Sequence, residues 1–111
     1  MGKINIKLSI NNKENPYKYE GIALINKDIV SYNHNGYDYV YDLRINRLIK
    51  SNKENNTIID FDKEEIIIDN KYNLKIKIKT KIISDKERNI IYNIDKNEIE
   101  FKFIMGSDLN E

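Results

Sequence analysis

The sequence predicts an all-β fold: a single antiparallel meander of about eight to ten short strands, closed or nearly closed into a barrel. Three observations carry this expectation. Apolar and polar residues alternate along most of the 111-residue chain, polar clusters of Asn, Asp, Lys and Gly interrupt the alternation at short intervals, and no segment sustains an apolar period near that of a helix. Alternation places successive side chains on opposite faces of a strand, giving a sheet with one dry and one wet side. Such a meander usually resolves its exposed edges by closing on itself.

The first run puts Ile4, Ile6, Leu8 and Ile10 on one face and Lys3, Asn5, Lys7 and Ser9 on the other, and ends in the turn-rich residues 11–16. A second strand, 17–25, contains Gly21, where a missing Cβ predicts a bulge or a sharp bend. Asn35-Gly36 is the best hairpin signal, because a two-residue type I′ turn needs positive φ at both positions and these residues tolerate it most readily. It joins strands 29–34 and 37–43, and shorter strands follow at 45–50, 57–62 and 65–69 between the polar turns 51–56 and 62–64. The longest run sets Tyr72, Leu74, Ile76, Ile78, Thr80 and Ile82 inward against Asn73, Lys75, Lys77, Lys79 and Lys81. At about 3.3 Å per residue it spans roughly 35 Å and must coil as barrel strands do. Ile90, Tyr92 and Ile94 mark the next strand; after the turn 95–97, Ile99, Phe101, Phe103 and Met105 oppose Glu98, Glu100 and Lys102 in the last. Ile76, Ile78, Phe101 and Phe103 are therefore expected inside. With no repeat and no Pro- or Gly-rich linker, residues 1–111 form one domain, 106–111 being a candidate disordered tail.

A domain of this length buries roughly two thirds of the surface its unfolded chain exposes, so it needs no metal or disulfide staple. The absence of cysteine removes disulfides, thiolate metal ligands and thiol nucleophiles from consideration. Nineteen basic and eighteen acidic residues leave a net charge of +1, without the long-range positive field that draws in a phosphate backbone. Nucleic acid is not an expected partner. No stretch approaches the ~20 apolar residues of a membrane span, and residues 1–10 alternate where a signal peptide would have an apolar core. The expectation is a cytoplasmic protein without a membrane partner, monomeric or a weak homodimer. Met1-Gly2 does not open an acylation signal, since Ile6 stands where Ser or Thr is required. Ile, Lys and Asn dominate, as AT-rich coding favours, so the abundance of Ile in the core and Asn in turns carries little functional meaning.

His34, the one histidine, precedes the Asn-Gly turn and reads as an exposed turn residue, because a single imidazole without cysteines is a poor ligand set. Asp60, Asp62 and Glu64 have the alternate-carboxylate spacing that opens an EF-hand loop. The required glycine and closing glutamate are replaced by Glu65 and Lys71, so these residues read as polar turn flanks. There is no GxSxG, no glycine-rich phosphate loop and no HExxH, and no spacing singles out a pair of carboxylates for acid–base work. No catalytic residue, metal ligand or cofactor is assigned. The lysine row from Lys71 to Lys81 is expected to project from one face as a solvated wall, lacking the interleaved aromatics that base stacking would use. Tyr32, Tyr37, Tyr39 and Tyr41 are the candidate ligand-binding residues. The last three share one face of a strand across the hairpin from Tyr32, and a ring with a hydroxyl tip offers area and a hydrogen bond together. The same row also suits ordinary cross-strand packing.

The stretch Leu74-Lys75-Ile76-Lys77-Ile78-Lys79-Thr80, then Ile90-Ile91-Tyr92-Asn93-Ile94 and the closing Glu100-Phe101-Lys102-Phe103, resembles the C-terminal half of the YwiB-like proteins. Tyr19-Glu20-Gly21 and Ile29-Val30-Ser31-Tyr32 are similar to the start of their second and third strands. The resemblance spans residues 3–105, and the segment between Asn52 and Tyr72 is shorter than the family pattern. It implies a calycin-like, that is lipocalin-like, β-barrel, a bacterial and chiefly Gram-positive origin, and a cytoplasmic location. The family brings no activity, catalytic residue or cofactor.

Two functional readings follow from different classes. One is a barrel binding a small apolar or amphipathic molecule; the alternative is a protein-interaction or structural module with a filled barrel and no ligand. An enzyme stands third, unsupported by any motif. A cavity lined by the tyrosines would favour the first reading, and a barrel filled by Ile and Phe the second.

Overall fold

The computed structural model describes residues 2–108. Eleven antiparallel strands form one sheet: β1 (Gly2–Asn11), β2 (Tyr17–Asn26), β3 (Ile29–His34), β4 (Tyr37–Asp42), β5 (Arg47–Ser51), β6 (Asn56–Asp60), β7 (Glu65–Ile68), β8 (Tyr72–Lys75), β9 (Lys77–Ile83), β10 (Glu87–Ile94) and β11 (Asn97–Asp108). The described residues contain no helix, and so none long and apolar enough to cross a membrane. Of the tail 106–111, residues 106–108 belong to β11 and residues 109–111 lie outside the described ones.

The sheet runs β8-β7-β6-β5-β4-β3-β2-β1-β11-β10-β9. Its two end strands, β8 and β9, are separated in the chain by Ile76 alone. One run of chain therefore hydrogen-bonds to β7 in its first half and to β10 in its second, and the nearly closed barrel is completed by covalent continuity. The change of partner is secured at Glu64, whose carbonyl accepts from the Ile76 amide at 3.1 Å and whose carboxylate accepts from the Ile78 amide at 3.0 Å. The long run expected over 72–82 is thus two strands, which takes the count from about eight to ten up to eleven.

Its faces also differ from simple alternation. Ile91 pairs with Thr80 but Tyr92 with Ile78, so Lys79 is an extra residue, a bulge. A one-residue slip sends every later side chain to the other face. Lys81 now pairs with the fully buried Ile90 and turns to the inner side, while Ile82 pairs with Asn89 and is 62% exposed. The expected inward row is corrected accordingly: Ile76 is buried and Ile78 half-buried, Thr80 and Ile82 are turned outward by the slip, and Tyr72 and Leu74, which precede it, keep the register of the inward Ile68 and Ile66 but are exposed at the open edge. The lysines do not form one face, and three of them find carboxylates: Lys75 with Glu65, Lys79 with Glu98 and Lys81 with Asp62.

At Gly21 the expected bulge is absent, since the β1–β2 ladder runs unbroken from Gly2–Ile25 to Ile10–Tyr17. The glycine instead makes room for a ring: a Cβ there would lie 2.7 Å from the Tyr19 hydroxyl oxygen. At the other glycine turn the expectation holds, with Asn35 and Gly36 at φ of 53° and 81° between β3 and β4.

The interior is filled toward one end and open toward the other. Leu8, Tyr41, Phe61, Ile90, Phe101 and Phe103 are fully buried; Tyr41 stacks on Phe103 at 5.0 Å, and Phe61 packs against Phe101 at 4.7 Å. Phe61 is supplied by the β6–β7 turn, its amide held by the Asn46 carbonyl at 3.0 Å, so it closes the lower barrel.

Candidate functional site

The open end is framed by the loop after β1 and by the β3–β4, β5–β6, β7–β8 and β10–β11 turns. Strand register sets what faces its interior. Because the Asn35-Gly36 turn aligns Tyr32 with Tyr39 and His34 with Tyr37, and Tyr39 aligns in turn with Lys50 and Lys50 with Thr57, one inward row crosses four strands. Below this row lies a cavity of about 320 Å³. Its wall is aliphatic, from Ile10, Leu48, Ile59, Ile66, Ile68, Leu74, Ile94 and Ile99, with Tyr92 among them. Polar groups come only from Asn12, Asn15, Tyr17, Tyr39, Lys50, Thr57 and the Tyr92 hydroxyl. An apolar cup with a few polar groups is the usual form of a small-molecule site, and the mouth of a barrel is one of its usual places.

One side of the mouth is aromatic. β2 pairs with β3 only through Leu24, Ile25 and Asn26, and its earlier half diverges from β3. The opening is filled by rings: Tyr19 stacks on Tyr32 at 4.1 Å, Tyr32 on Tyr39 at 4.8 Å, and Tyr39 on Tyr17 at 5.0 Å. The Tyr17 hydroxyl lies 3.0 Å from that of Tyr32 and 3.1 Å from Nδ1 of His34, and the Tyr19 hydroxyl donates to the Ile22 carbonyl at 2.8 Å. Burial pushes the Tyr17, Tyr32 and Tyr39 phenols above the ordinary tyrosine range, and for Tyr32 and Tyr39 the neighbouring phenols push further. All three hydroxyls are therefore neutral hydrogen-bonding groups at physiological pH, not phenolate nucleophiles.

Of the four tyrosines singled out by the sequence, Tyr32 and Tyr39 meet in this stack, and Tyr39 reaches the cavity. Tyr37 stands at the rim, where the Lys50 ammonium sits 4.3 Å above its ring. Tyr41 does not join them. It lies one inward step deeper, 1% exposed, with its hydroxyl donating to Asn46 Oδ1 at 3.3 Å near the opposite end. Alternation gives a residue's face but not its depth along the barrel axis, so it does not separate Tyr41 from Tyr37 and Tyr39. His34 is likewise not an exposed turn residue: it ends β3, half-buried, its ring 5.0 Å from that of Tyr19. The inward positions of Tyr17 and Tyr19 are marked in the sequence only by the alternation Tyr17-Lys18-Tyr19, and that of Lys50 only by its standing two residues beyond the core residue Leu48.

The opposite end carries a polar network. Arg88, 8% exposed, donates from Nε to Asn46 Oδ1 at 3.3 Å and from Nη1 to the carbonyls of Ser84 and Glu87, the latter at 3.1 Å. Asn46 in turn donates to Asp62 at 3.3 Å, and Lys81 to the same carboxylate at 3.1 Å. Asp60 accepts from the Lys63 amide at 3.0 Å, so Asp60, Asp62 and Glu64 serve three separate local tasks. Among the described residues no group of three or more His, Asp or Glu side chains could hold a metal ion. The chain matches no family model, no curated protein and no solved structure.

Proposed function

We propose that this protein is a cytoplasmic small-molecule-binding barrel that takes an apolar or amphipathic ligand into its open end. The observation that carries this reading is the 320 Å³ cup, aliphatic on its walls and polar at its rim, above a filled lower core. That volume stands at the lower end of the range of about 300 to 1,000 Å³ for ligand pockets, so the ligand is small. The stacked tyrosines form one side of the mouth, where rigid rings present area at little entropic cost. Membership of the YwiB-like barrels, proposed on Leu74 to Thr80, Ile90 to Ile94 and Glu100 to Phe103, agrees with this reading without supplying a ligand.

The test is titration with the neutral fluorophore N-phenyl-1-naphthylamine. Saturable enhancement is expected for the wild type, together with loss of at least about tenfold in affinity for Thr57→Phe, which fills the cup from a strand position that favours aromatics. No saturable binding, or equal binding by both proteins, would contradict the reading. One observation favours the second reading, an interaction module: Leu24, Val40, Ile49, Ile58 and Ile67 form a nearly continuous apolar row on the outer wall, interrupted only by Ser31. That reading predicts an unbound fluorophore together with self-association in sedimentation equilibrium.

A further inference from the structure

We infer that the ligand of the open end is a monoanion, a short carboxylic acid whose head meets Lys50 while its apolar tail enters the cup. This rests on the cavity reading above and adds the class of ligand to it. Lys50 is the one charged side chain among the cavity's lining residues. Its place is fixed by the ladder: it pairs with the inward Tyr39 on one side and with Thr57 on the other, so its stem lies along the inner wall. Its ammonium rests 4.3 Å above the Tyr37 ring at the rim, and among the described residues no carboxylate comes within ion-pair distance of it.

Lys7, Lys75, Lys79 and Lys81 each face an acidic partner, and the remaining lysines stand outside the cavity lining, so Lys50 is set apart by its place. A cation over a ring keeps hydrogen-bond donors directed away from the ring face, and the quadrupole beneath it holds the charge in place without neutralising it. An unmatched positive charge beside apolar walls favours a ligand that is negative at one end and apolar at the other. A lone ammonium is a point charge, suited to a singly charged head; a phosphate dianion would call for a second cation, which the lining does not contain. Asn12, Asn15, Thr57 and the Tyr17 hydroxyl add neutral polar groups at the same mouth.

The experiment compares octanoate with 1-octanol by isothermal titration calorimetry at neutral pH and low salt, on the wild type and on Lys50→Met, with the neutral naphthylamine fluorophore as a control. Octanoate is expected to bind the wild type roughly tenfold or more tighter than octanol, the range of a charge-assisted hydrogen bond. That preference should shrink as salt is added and vanish in Lys50→Met. Equal affinities for acid and alcohol in the wild type, with the fluorophore still bound, would overturn the head-group assignment and leave the cavity reading standing. Failure of all three to bind would overturn both. The comparison within the wild type is decisive even if Lys50→Met does not fold.

Discussion

Tyr17, Tyr32, Tyr39, Tyr41 and Tyr92 are held where a phenolate would be poorly solvated, and burial raises the pKa of each, that of Tyr92 to about 12. For Tyr41 the nearby Arg88 works against burial and Asp62 with it, and burial prevails. The folded chain therefore keeps these protons more tightly than the unfolded chain does. Their contribution is fully present below a pH of about 10, the unfolded value, and is lost as the pH rises through the folded values. Thermal melting should accordingly fall as the pH passes about 10, and fall less steeply in Tyr32→Phe and Tyr92→Phe. A melting temperature that declines equally in the wild type and in both variants would show that these phenols titrate as free tyrosines. At this scale the sequence is informative about chemistry and uninformative about depth: Tyr39 and Tyr41 are two positions apart on one face, yet one reaches the cavity and the other packs beneath it against Phe101 and Phe103.

Among the elements, β8 and β9 decide whether the barrel closes. Both belong to a single alternating run, but Ile76 marks the exchange of β7 for β10 and Lys79 shifts the register. Two isoleucines that alternation treats as equivalent should then differ sharply. Ile76→Ala should cost about 2 to 5 kcal/mol through lost burial and a cavity, and Ile82→Ala no more than about 0.5 kcal/mol. Equal denaturant midpoints for the two variants would restore the unbroken inward strand. The faces of β1, β10 and β11 and the β3–β4 hairpin were legible, because there a strict period of two coincides with turn residues of the right conformational preference. The bulge was not. It inserts one lysine among lysines, Lys77, Lys79 and Lys81, and a bulged residue of the same type as the lysines on either side of it leaves no mark in the pattern. Nor was the seam between β2 and β3, since where a ladder stops depends on barrel curvature and not on the residues of either strand taken alone.

For the whole molecule, the two ends of one barrel carry different physics. The lower half is closed by aromatic packing and a buried network around Arg88 and Asn46; the upper half holds a cup bounded by aliphatic side chains, stacked tyrosines and one lysine. Around the outside, ion pairs such as Lys79 with Glu98 leave the lysines of β8 and β9 largely matched, in keeping with the near-zero net charge. The central claim is that the upper cup receives a ligand, and the most direct measurement is two-dimensional NMR of the methyl-labelled protein titrated with octanoate. Saturable shifts confined to Ile10, Leu48, Ile59, Ile66, Ile68, Leu74, Ile94 and Ile99, with Leu8 and Ile90 of the lower core and Ile49, Ile58 and Ile67 of the outer wall unmoved, are the result predicted. Shifts centred on the outer isoleucine row, or none that saturate, would contradict it.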